Sequence, residues 1–232
     1  MSCKPYADSS VWDERFRNIL PGGDPDRSGR WLDPFLPLLT KNRCRQVLDL
    51  GCGSGHDAVA LARRGFAVSG IDHSRLAIAA AEELAVAAGV VVGFRKGDIG
   101  LPLPYESEAF DAILSNLVLH SFDDLVLRDI LAELRRCLRP GGFFLFHVNS
   151  TDDAHLRLAL QPPERQLGPC LYVLAGGQTM HFFSRNDCEA LLAGWRILEL
   201  EAVTSFSAHG LPLKNAWRCS AQDRREFSGG SF

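Results

Sequence analysis

The stretch that decides the fold is Val47-Leu48-Asp49-Leu50-Gly51-Cys52-Gly53-Ser54-Gly55-His56-Asp57. An apolar run comes first, the glycines follow, and a helical pattern begins at His56. Glycine lets a backbone turn tightly and approach a ligand that a Cβ would keep away. The stretch therefore predicts a strand, a ligand-binding turn and a helix, which together open a βαβ unit.

The same alternation of strand and helix patterns continues to about residue 150. Predicted strands cover 47–50, 66–72, 90–94, 110–115 and 143–148, and predicted helices cover 56–64, 74–88 and 124–138. Strands that alternate with such helices form parallel sheets, which bind ligands at the carboxyl ends of their strands. We therefore predict a doubly wound, Rossmann-like α/β domain.

The last third of the chain predicts a change of strand direction. A helix is predicted at 187–192 and strands at 195–203 and 215–221, whereas the polar, proline-containing segment 152–169 carries no clear pattern. The connection between the two strands is too short for a crossover helix, so we expect them to pair antiparallel at the sheet edge. The polar segment 222–232 is predicted to be a disordered tail.

Length and composition are those of one globular domain. The chain has 232 residues, of which 46% are apolar and 23% charged, so disordered, collagen-like and coiled-coil classes fit poorly. Lysine and arginine number 25 against 28 aspartates and glutamates, a net charge of -3. That balance provides no general positive field for a polyanion. We expect neither a nucleic acid nor a membrane as a partner, and a monomer or homodimer.

The cysteines and the N-terminus bear on location. The seven cysteines form no CxxC pair and no group with metal-ligand spacing; they lie at 3, 44, 52, 137, 170, 188 and 219. Such scattered thiols are typical of a reducing compartment, and we predict no metal site. The first residues also lack the apolar core of a signal peptide. We therefore expect a cytoplasmic protein.

The carboxylate of Asp49, at the end of the first strand, bears on what the glycine turn binds. A dinucleotide-binding turn has glycine or alanine three residues after its second glycine, whereas His56 stands there in this chain. A carboxylate beside the turn would also repel a pyrophosphate. The pattern favours a nucleoside-like ligand that carries positive charge.

Two further acidic residues follow the next strands. Asp72 closes the second predicted strand, where an acid in nucleotide-binding units accepts hydrogen bonds from ribose hydroxyls. The alternative is that Asp72 or Ser74 only caps the next helix. Asp98 and Ile99 follow the third predicted strand, where an acid can accept from an exocyclic amine and an apolar side chain can cover an aromatic ring.

Five segments in order resemble the successive motifs of class I S-adenosylmethionine-dependent methyltransferases. They are Asp-Leu-Gly-Cys-Gly-Ser-Gly at 49–55, Gly-Ile-Asp at 70–72, Gly-Asp-Ile at 97–99, Phe-Asp-Ala-Ile-Leu-Ser-Asn at 110–116 and Leu-Arg-Pro-Gly-Gly at 138–142. The resemblance covers about residues 46–150. It implies a seven-stranded sheet whose last strand is antiparallel, with S-adenosylmethionine as cofactor and S-adenosylhomocysteine as product.

The resemblance also implies roles for individual residues. The turn with Gly51, Cys52, Gly53 and Gly55 holds the methionine moiety, together with Asp49 at its start. Asp72 holds the ribose, Asp98 and Ile99 hold the adenine, and His73 lies along the ribose or adenine. Ser115 offers backbone to the amino group of the ligand. Arg30 is a candidate partner for the ligand carboxylate, with a solvated surface arginine as the alternative.

The branch of the family follows from residues 55–72 and 115–120. Residues 55–72 resemble the small-molecule branch, including thiopurine and tellurite-resistance methyltransferases. Enzymes that methylate nucleic-acid bases carry Asp/Asn-Pro-Pro-Tyr/Phe after the fourth strand, where this chain has Ser115-Asn116-Leu117-Val118. A small-molecule acceptor is expected. The alternatives are a protein-directed methyltransferase, an NAD(P)-dependent oxidoreductase and a non-catalytic S-adenosylmethionine-binding module.

Two histidines and the N-terminal segment are candidates for handling the acceptor. His120 follows the fourth strand and His147 lies near the end of the fifth, so either can serve as general base or substrate contact. A structural histidine is the alternative for each. Trp12 and Phe16 share one face of a predicted short helix and are expected to cover the site or to pack an open face. We thus divide the chain into an N-terminal helical lid at 1–45, a methyltransferase domain at 46–221 and a tail at 222–232.

Overall fold

A computed structural model describes residues 6–17, 31–206 and 212–225. Arg30 lies outside the described residues. The main sheet has seven strands: β1 (Gln46–Leu50), β2 (Ala67–Asp72), β3 (Gly93–Lys96), β4 (Phe110–Asn116), β5 (Leu138–Asn149), β9 (Trp195–Phe206) and β10 (Pro212–Asp223). A second sheet has three short strands: β6 (Pro163–Gly168), β7 (Leu171–Leu174) and β8 (Thr179–His181). The described helices are α1 (Ser9–Arg17), α2 (Leu36–Lys41), α3 (His56–Arg63), α4 (Arg75–Ala88), α5 (Asp124–Cys137), α6 (Thr151–Leu160) and α7 (Arg185–Leu191).

The strand order of the main sheet is β3-β2-β1-β4-β5-β10-β9. Strands β1 to β5 pair in parallel, whereas β10 pairs antiparallel with both β5 and β9. The seven-stranded Rossmann-like sheet with its last strand antiparallel is thereby confirmed. The order reverses at β1 and β4, so the switch point of the sheet lies at the end of β1, where the glycine turn begins.

Alternating side chains of the strands build a core on each face of the sheet. On one face, Leu48, Ile113 and Phe144 pack with Leu127 and Ile130 of α5. On the other face, apolar residues of β1, β4 and β5 pack with the α2 and α3 helices; they include Val47, Leu114, Leu145, Leu61 and Leu39. Strands buried on both faces read as continuous apolar runs, which is why the sequence pattern located them.

Several segments differ from the predicted boundaries, among them β5, which begins at Leu138 and not at 143, and β9, which extends to Phe206. The third strand is Gly93–Lys96 rather than 90–94, because Gly89 ends α4 in a left-handed conformation and residues 90–92 only connect. The segment at 152–169 forms α6 and β6. Strand β10 continues to Asp223, two residues past the predicted boundary, and Gln222 Nε2 there donates to the carbonyl of Gly141 at 3.0 Å.

The short sheet and α1 lie outside the main sheet and reach the carboxyl ends of its strands. In the short sheet, Leu174, Met180 and Phe182 form a small core of their own. The His181 Nδ1 of β8 lies 3.3 Å from the carbonyl oxygen of Phe122, which follows the turn after β4. Among the described residues, no helix combines the length and apolar character needed to cross a bilayer.

Candidate functional site

A cleft of about 460 Å³ opens at the carboxyl ends of the parallel strands. Sequence-predicted residues that line it come from separate elements: Trp12 and Phe16; Asp49, Gly51, Cys52 and Gly53; Asp72 and His73; Asp98 and Ile99. Gly55, Ser115, His120 and His147 do not line it. The fold thus brings the acidic residues after β1, β2 and β3 to one cavity.

The glycine turn after β1 needs glycine for two different reasons. Gly51 has φ of +73°, and a Cβ there would lie 2.5 Å from a methyl carbon of Val118. The backbone N–H groups of Gly51 and Cys52 donate to the carbonyl oxygen of Ile71 at 2.8 and 3.0 Å. Backbone hydrogen bonds to β2 therefore fix the shape of the turn. The absence of a Cβ at Gly51 lets the side chain of Val118 pack against the turn.

Gly55 has a packing role. It precedes α3 with φ of +80°, and a Cβ there would lie 2.7 Å from the Cβ of Ala81 and 2.9 Å from the ring of Phe94. This glycine allows α3 to approach α4 and β3 closely. Its contribution to the cleft is therefore through the position of the helix and not through contact with the cavity.

Asp72 links the glycine turn to the start of α4. Its Oδ2 accepts from the N–H of Gly53 at 2.9 Å, and its Oδ1 accepts from the N–H of Ser74 at 2.8 Å. Ser74 is itself the N-cap of α4 and accepts from the N–H of Ala77 at 3.1 Å. Burial raises the pKa of Asp72, while these backbone donors oppose the rise. Asp72 therefore contributes to the helix start and still lines the cleft.

A pair of carboxylates, Asp49 and Asp57, stands at the base of the cleft. Asp49 is 2% exposed, and its Oδ2 has no hydrogen-bond partner among the described residues. Burial raises the pKa of Asp49 well above its usual range, and the charges of Asp57 and Asp72 raise it further. Burial also raises the pKa of Asp57 to about 6. The base of the cleft is therefore electrostatically suited to a cation.

The far end of the cleft is organised by Asp98. Its Oδ1 accepts from the N–H of Gly100 at 3.0 Å, and its Oδ2 lies 3.8 Å from the Nε2 of His73. The hydroxyl of Tyr6 donates to this carboxylate at 3.1 to 3.2 Å, and the Tyr6 ring packs edge-on against Phe122. The N-terminal segment therefore reaches the acid that follows β3.

The α1 helix contributes side chains to the lining of the cleft. Asp13 accepts hydrogen bonds from the Oγ of Ser74 at 2.5 Å and the N–H of Leu76 at 3.3 Å, which fixes α1 to the start of α4. These bonds lower the pKa of Asp13. Trp12 and Phe16 line the cavity. The Phe16 ring packs over the glycine turn, since a Cβ at Gly53 would lie 3.3 Å from it.

His147 belongs to a hydrogen-bonded chain beside the cleft. Its Nδ1 lies 3.3 Å from the Oδ1 of Asn116, whose Nδ2 donates to Asp57 at 2.9 Å. The indole of Trp31 donates to the same Asp57 oxygen at 2.8 Å and stacks on His147, with ring centroids 6.1 Å apart. Burial lowers the pKa of His147 to about 4, with Lys214 adding to the effect. His147 is therefore neutral at neutral pH.

His120 lies in a short 3₁₀ turn, Leu119–Ser121, that follows β4. It is 5% exposed, and its Nδ1 has no hydrogen-bond partner among the described residues. Burial lowers its pKa well below the usual range, and the charges of Lys214 and Arg15 lower it further. Ser115, inside β4, is fully buried, and its Oγ has no hydrogen-bond partner among the described residues; Asn116 of the same strand lines the cleft.

Several residues of the site were not predicted from the sequence. Tyr6, Arg15, Asp57 and Asn116 line the cleft. Asp57 belongs to the segment 47–57 and lies in the first turn of α3, directly after the glycine turn. Its place beside the predicted ligand-binding turn is the feature of the sequence that could have identified it. Within residues 6–17, 31–206 and 212–225, no group of three or more His, Cys, Asp or Glu side chains could hold a metal ion.

Comparisons with known proteins agree with this geometry. Residues 47–142 match the family model described as a methyltransferase domain. The chain is 36% identical over 114 residues to malonyl-[acyl-carrier protein] O-methyltransferase of Salmonella typhimurium, covering 49% of this chain and 43% of that one. It is 30% identical over 146 residues to ubiquinone biosynthesis O-methyltransferase of Paracidovorax citrulli, covering 62% and 58%. The chain spans about half the length of the curated relatives it matches.

A solved structure agrees with the fold over nearly the whole chain. It is the Burkholderia thailandensis 1,6-didemethyltoxoflavin-N1-methyltransferase with bound 1,6-didemethyltoxoflavin and S-adenosylhomocysteine. The TM-score is 0.66 at 22% identity, over 95% of this chain and 92% of that one. Residues 47–142 thus form a methyltransferase domain, and their five motifs in order and the strand order resemble those of the class I S-adenosylmethionine-dependent methyltransferases.

Proposed function

We propose that the protein transfers a methyl group from S-adenosylmethionine to a small-molecule acceptor. The observation that carries this proposal is the unpartnered Oδ2 of Asp49, a buried carboxylate oxygen on the wall of the cleft. A buried carboxylate oxygen without a hydrogen-bond partner is costly unless a ligand supplies a donor or positive charge. The ammonium and sulfonium groups of S-adenosylmethionine meet this need, whereas the pyrophosphate of a dinucleotide would add negative charge.

The residues of the cleft fit the parts of this cofactor. The turn at Gly51 and Gly53 lines the cleft, and we assign it to the methionine moiety. The Asp72 carboxylate has lone pairs beyond the two backbone N–H groups that it accepts, and these are available to the ribose hydroxyls. Asp98 and Ile99 are assigned to the adenine. When bound, the cofactor supplies an electrophilic methyl group on its sulfonium.

The chain itself contributes orientation and exclusion of water. Helix α1 is fixed over the cleft through Asp13, so Trp12 and Phe16 shield the cavity from solvent. Alignment of nucleophile and methyl can account for up to about 7 to 11 kcal/mol of a barrier. We assign residues 1–45 to this lid and acceptor segment, and the strands and helices from 46 onward to the catalytic domain.

His120 is the histidine that we assign to the acceptor. It is neutral at neutral pH, because burial and neighbouring cations lower its pKa, so its ring can accept a proton or a hydrogen bond. Its Nδ1 is unpartnered among the described residues. His147 is instead held by Asn116 and Trp31, and we assign it to positioning the Asp57 network.

The relatives and the cleft support a small-molecule acceptor. By their names, one relative is a malonyl-[acyl-carrier protein] O-methyltransferase and another a ubiquinone biosynthesis O-methyltransferase, and the structural neighbour has 1,6-didemethyltoxoflavin bound. A cavity of about 460 Å³ matches small-molecule sites. We propose a cytosolic enzyme, consistent with the scattered thiols, that acts on neither nucleic acid nor membrane.

A coupled assay for S-adenosylhomocysteine release tests the proposal. The acceptors are thiols, phenols, amines, carboxylates and inorganic oxyanions. We expect turnover with at least one small acceptor and loss of turnover in Asp72→Ala. Binding of S-adenosylhomocysteine without turnover of any acceptor would indicate a binding module instead, and stabilisation by NAD alone would contradict the proposal.

A further inference from the structure

A group of basic side chains stands beside His120, outside the acidic part of the cleft. Arg15 comes from α1, Arg157 from α6 and Lys214 from β10. Asp153 contacts Arg157 and accepts from the backbone N–H of Asn215, next to Lys214, and Arg15 donates to Gln178, beside the short sheet against which α6 packs. The charges of all three basic residues also lower the pKa of His120. We call Arg15, Arg157 and Lys214 the basic cluster. It unites three elements that are far apart in sequence, so it is a product of the tertiary fold.

The basic cluster is only partly neutralised by the protein. Asp153 is 1% exposed, lies 3.4 Å from the guanidinium of Arg157 and accepts from the N–H of Asn215 at 2.9 Å. Among the described residues, neither Arg15 nor Lys214 forms an ion pair within 4 Å; Arg15 donates to the neutral amide oxygen of Gln178 at 3.2 Å. One carboxylate therefore faces three cations.

Unpartnered polar atoms surround the same region. His120 is 5% exposed with a free Nδ1, and Gln178, which binds Arg15 through its oxygen, has a buried Nε2 without a partner in the described chain. Buried polar groups are nearly always hydrogen-bonded in native proteins. Two such donors or acceptors beside unpaired cations indicate that a polar ligand completes the site.

The charges of the cleft are thus segregated. Asp49, Asp57 and Asp72 lie at the end of the cleft assigned to the cationic cofactor. Arg15 is a member of the basic cluster and also lines the cleft. We propose that the basic cluster binds an oxyanion group, a carboxylate or a phosphate monoester, on the small molecule that accepts the methyl group. The inference rests on the proposed function, because it defines the substrate class of that same site.

The electrostatics of Lys214 agree with an anionic ligand. Burial, together with the charges of Arg157 and Arg15, lowers its pKa to about 8, and only Asp153 opposes them. A negative group among these side chains would restore a normal ammonium and replace lost solvation with charge-assisted hydrogen bonds. A neutral ligand would leave the repulsion in place.

Binding to the protein saturated with S-adenosylhomocysteine tests the inference by calorimetry. One matched set of probes is hexanoate, hexyl phosphate and hexanamide; the second is benzoate, phenyl phosphate and benzamide. In at least one set we expect an oxyanion to bind about tenfold or more tightly than its amide. The relative affinities of carboxylate and phosphate identify which oxyanion the site prefers.

Variants separate a charge effect from a packing effect. Lys214→Met should weaken the preferred oxyanion by about tenfold, whereas Lys214→Arg should stay within about threefold of wild type. Arg128→Met, an exposed cation on α5, is the matched control and should change nothing. Equal affinity for oxyanion and amide, absence of binding by every probe, or an unchanged affinity in Lys214→Met would overturn the inference.

The affinity for S-adenosylhomocysteine is measured first and keeps the two proposals distinguishable. If wild type binds S-adenosylhomocysteine but shows no preference for oxyanions, the inference alone fails. If S-adenosylhomocysteine does not bind, the proposed function fails and the inference fails with it. Lys214→Met should keep the wild-type affinity for S-adenosylhomocysteine.

Discussion

The Oδ2 of Asp72 accepts a hydrogen bond from the backbone N–H of Gly53 at 2.9 Å. The side chain that ends β2 therefore fixes the glycine turn that ends β1. The Oδ1 of Asp72 accepts in the same way from Ser74 at the start of α4. One carboxylate thus sets the spacing of two segments that border the cleft, and a change at this residue should affect ligand affinity more than it affects the fold.

Asp72→Asn tests this relationship. The asparagine oxygen can still accept from one of the two backbone N–H groups, but its NH₂ group then faces the other N–H. The substitution also removes the negative charge. We expect the affinity for S-adenosylhomocysteine to fall by about 10- to 100-fold, the usual range for a charged hydrogen bond. Calorimetric titration measures it, with Asp129→Asn, an exposed acid on α5, as control. An affinity equal to wild type would show that Asp72 serves only the helix start.

Proton release on cofactor binding tests the charge at the base of the cleft. In the free protein, burial raises the pKa of Asp57 to about 6, so this carboxyl is partly protonated near pH 6, and burial also raises the pKa of Asp49. A bound cation stabilises their ionised forms and lowers both pKa values. We expect net proton release near pH 6, read from the dependence of the calorimetric enthalpy on buffer ionisation. Proton uptake would contradict the assignment.

Asp57→Asn should have opposite effects on stability and binding. The folded-state pKa of Asp57 is raised, so its ionised form costs stability above pH 6, and this cost disappears below the unfolded value of 3.8. The amide oxygen can still accept from Trp31 and Asn116. We expect the ligand-free variant to gain about 1 to 3 kcal/mol at pH 8, while its affinity for S-adenosylhomocysteine falls.

Denaturant unfolding at pH 8 and again near pH 4 measures the stability effect. The gain should shrink at the lower pH, because the wild-type carboxyl is then protonated and uncharged. A variant that is less stable than wild type at pH 8 would show that the Asp57 carboxylate stabilises the free protein.

A matched pair of glycine variants separates backbone strain from steric blocking. Gly51 and Gly65 both have positive φ, but a Cβ at Gly51 would lie 2.5 Å from Val118, whereas nothing lies within 4 Å at Gly65. Gly65→Ala should cost about 1 kcal/mol of unfolding free energy through backbone strain. Gly51→Ala should cost more and should also abolish measurable S-adenosylhomocysteine binding. Equal effects of the two changes would remove the steric argument.

The attachment of α1 is tested through Asp13→Ala. Without its bonds to Ser74 and Leu76, α1 should cover the cleft for a smaller fraction of the time. We expect S-adenosylhomocysteine to dissociate faster, by about 2- to 10-fold, in stopped-flow measurements of intrinsic tryptophan fluorescence. Glu83→Ala, an exposed change on α4, is the control. An unchanged dissociation rate would show that α1 is not a lid.

The sheet and the acidic residues near its strand ends, Asp49, Asp72 and Asp98, were predictable because local sequence patterns encode them. Apolar runs located β1, β2, β4 and β5, and Asp49 and Asp72 follow directly from strand ends. The residues that the sequence did not reveal owe their position to contacts across long chain separations. Tyr6 reaches Asp98 over 92 positions, and Asn116 reaches Asp57 over 59 positions.

The basic cluster was hidden for the same reason. Arg15, Arg157 and Lys214 sit in polar segments where single cations are common, and only the packing of α1, α6 and β10 beside His120 brings them together. The sequence as a whole carries a net charge of -3, so a positive region of this size leaves no trace in the composition. The short sheet was missed because β6 is mostly exposed and β7 and β8 have only four and three residues.

The central claim is that the cleft binds S-adenosylmethionine and not a dinucleotide. Calorimetric titration of the full chain with S-adenosylmethionine, S-adenosylhomocysteine and NAD tests it most directly. The account predicts saturable binding of both S-adenosyl ligands, weakened in Asp49→Asn, and no binding of NAD. Saturable binding of NAD without binding of S-adenosylhomocysteine would contradict it.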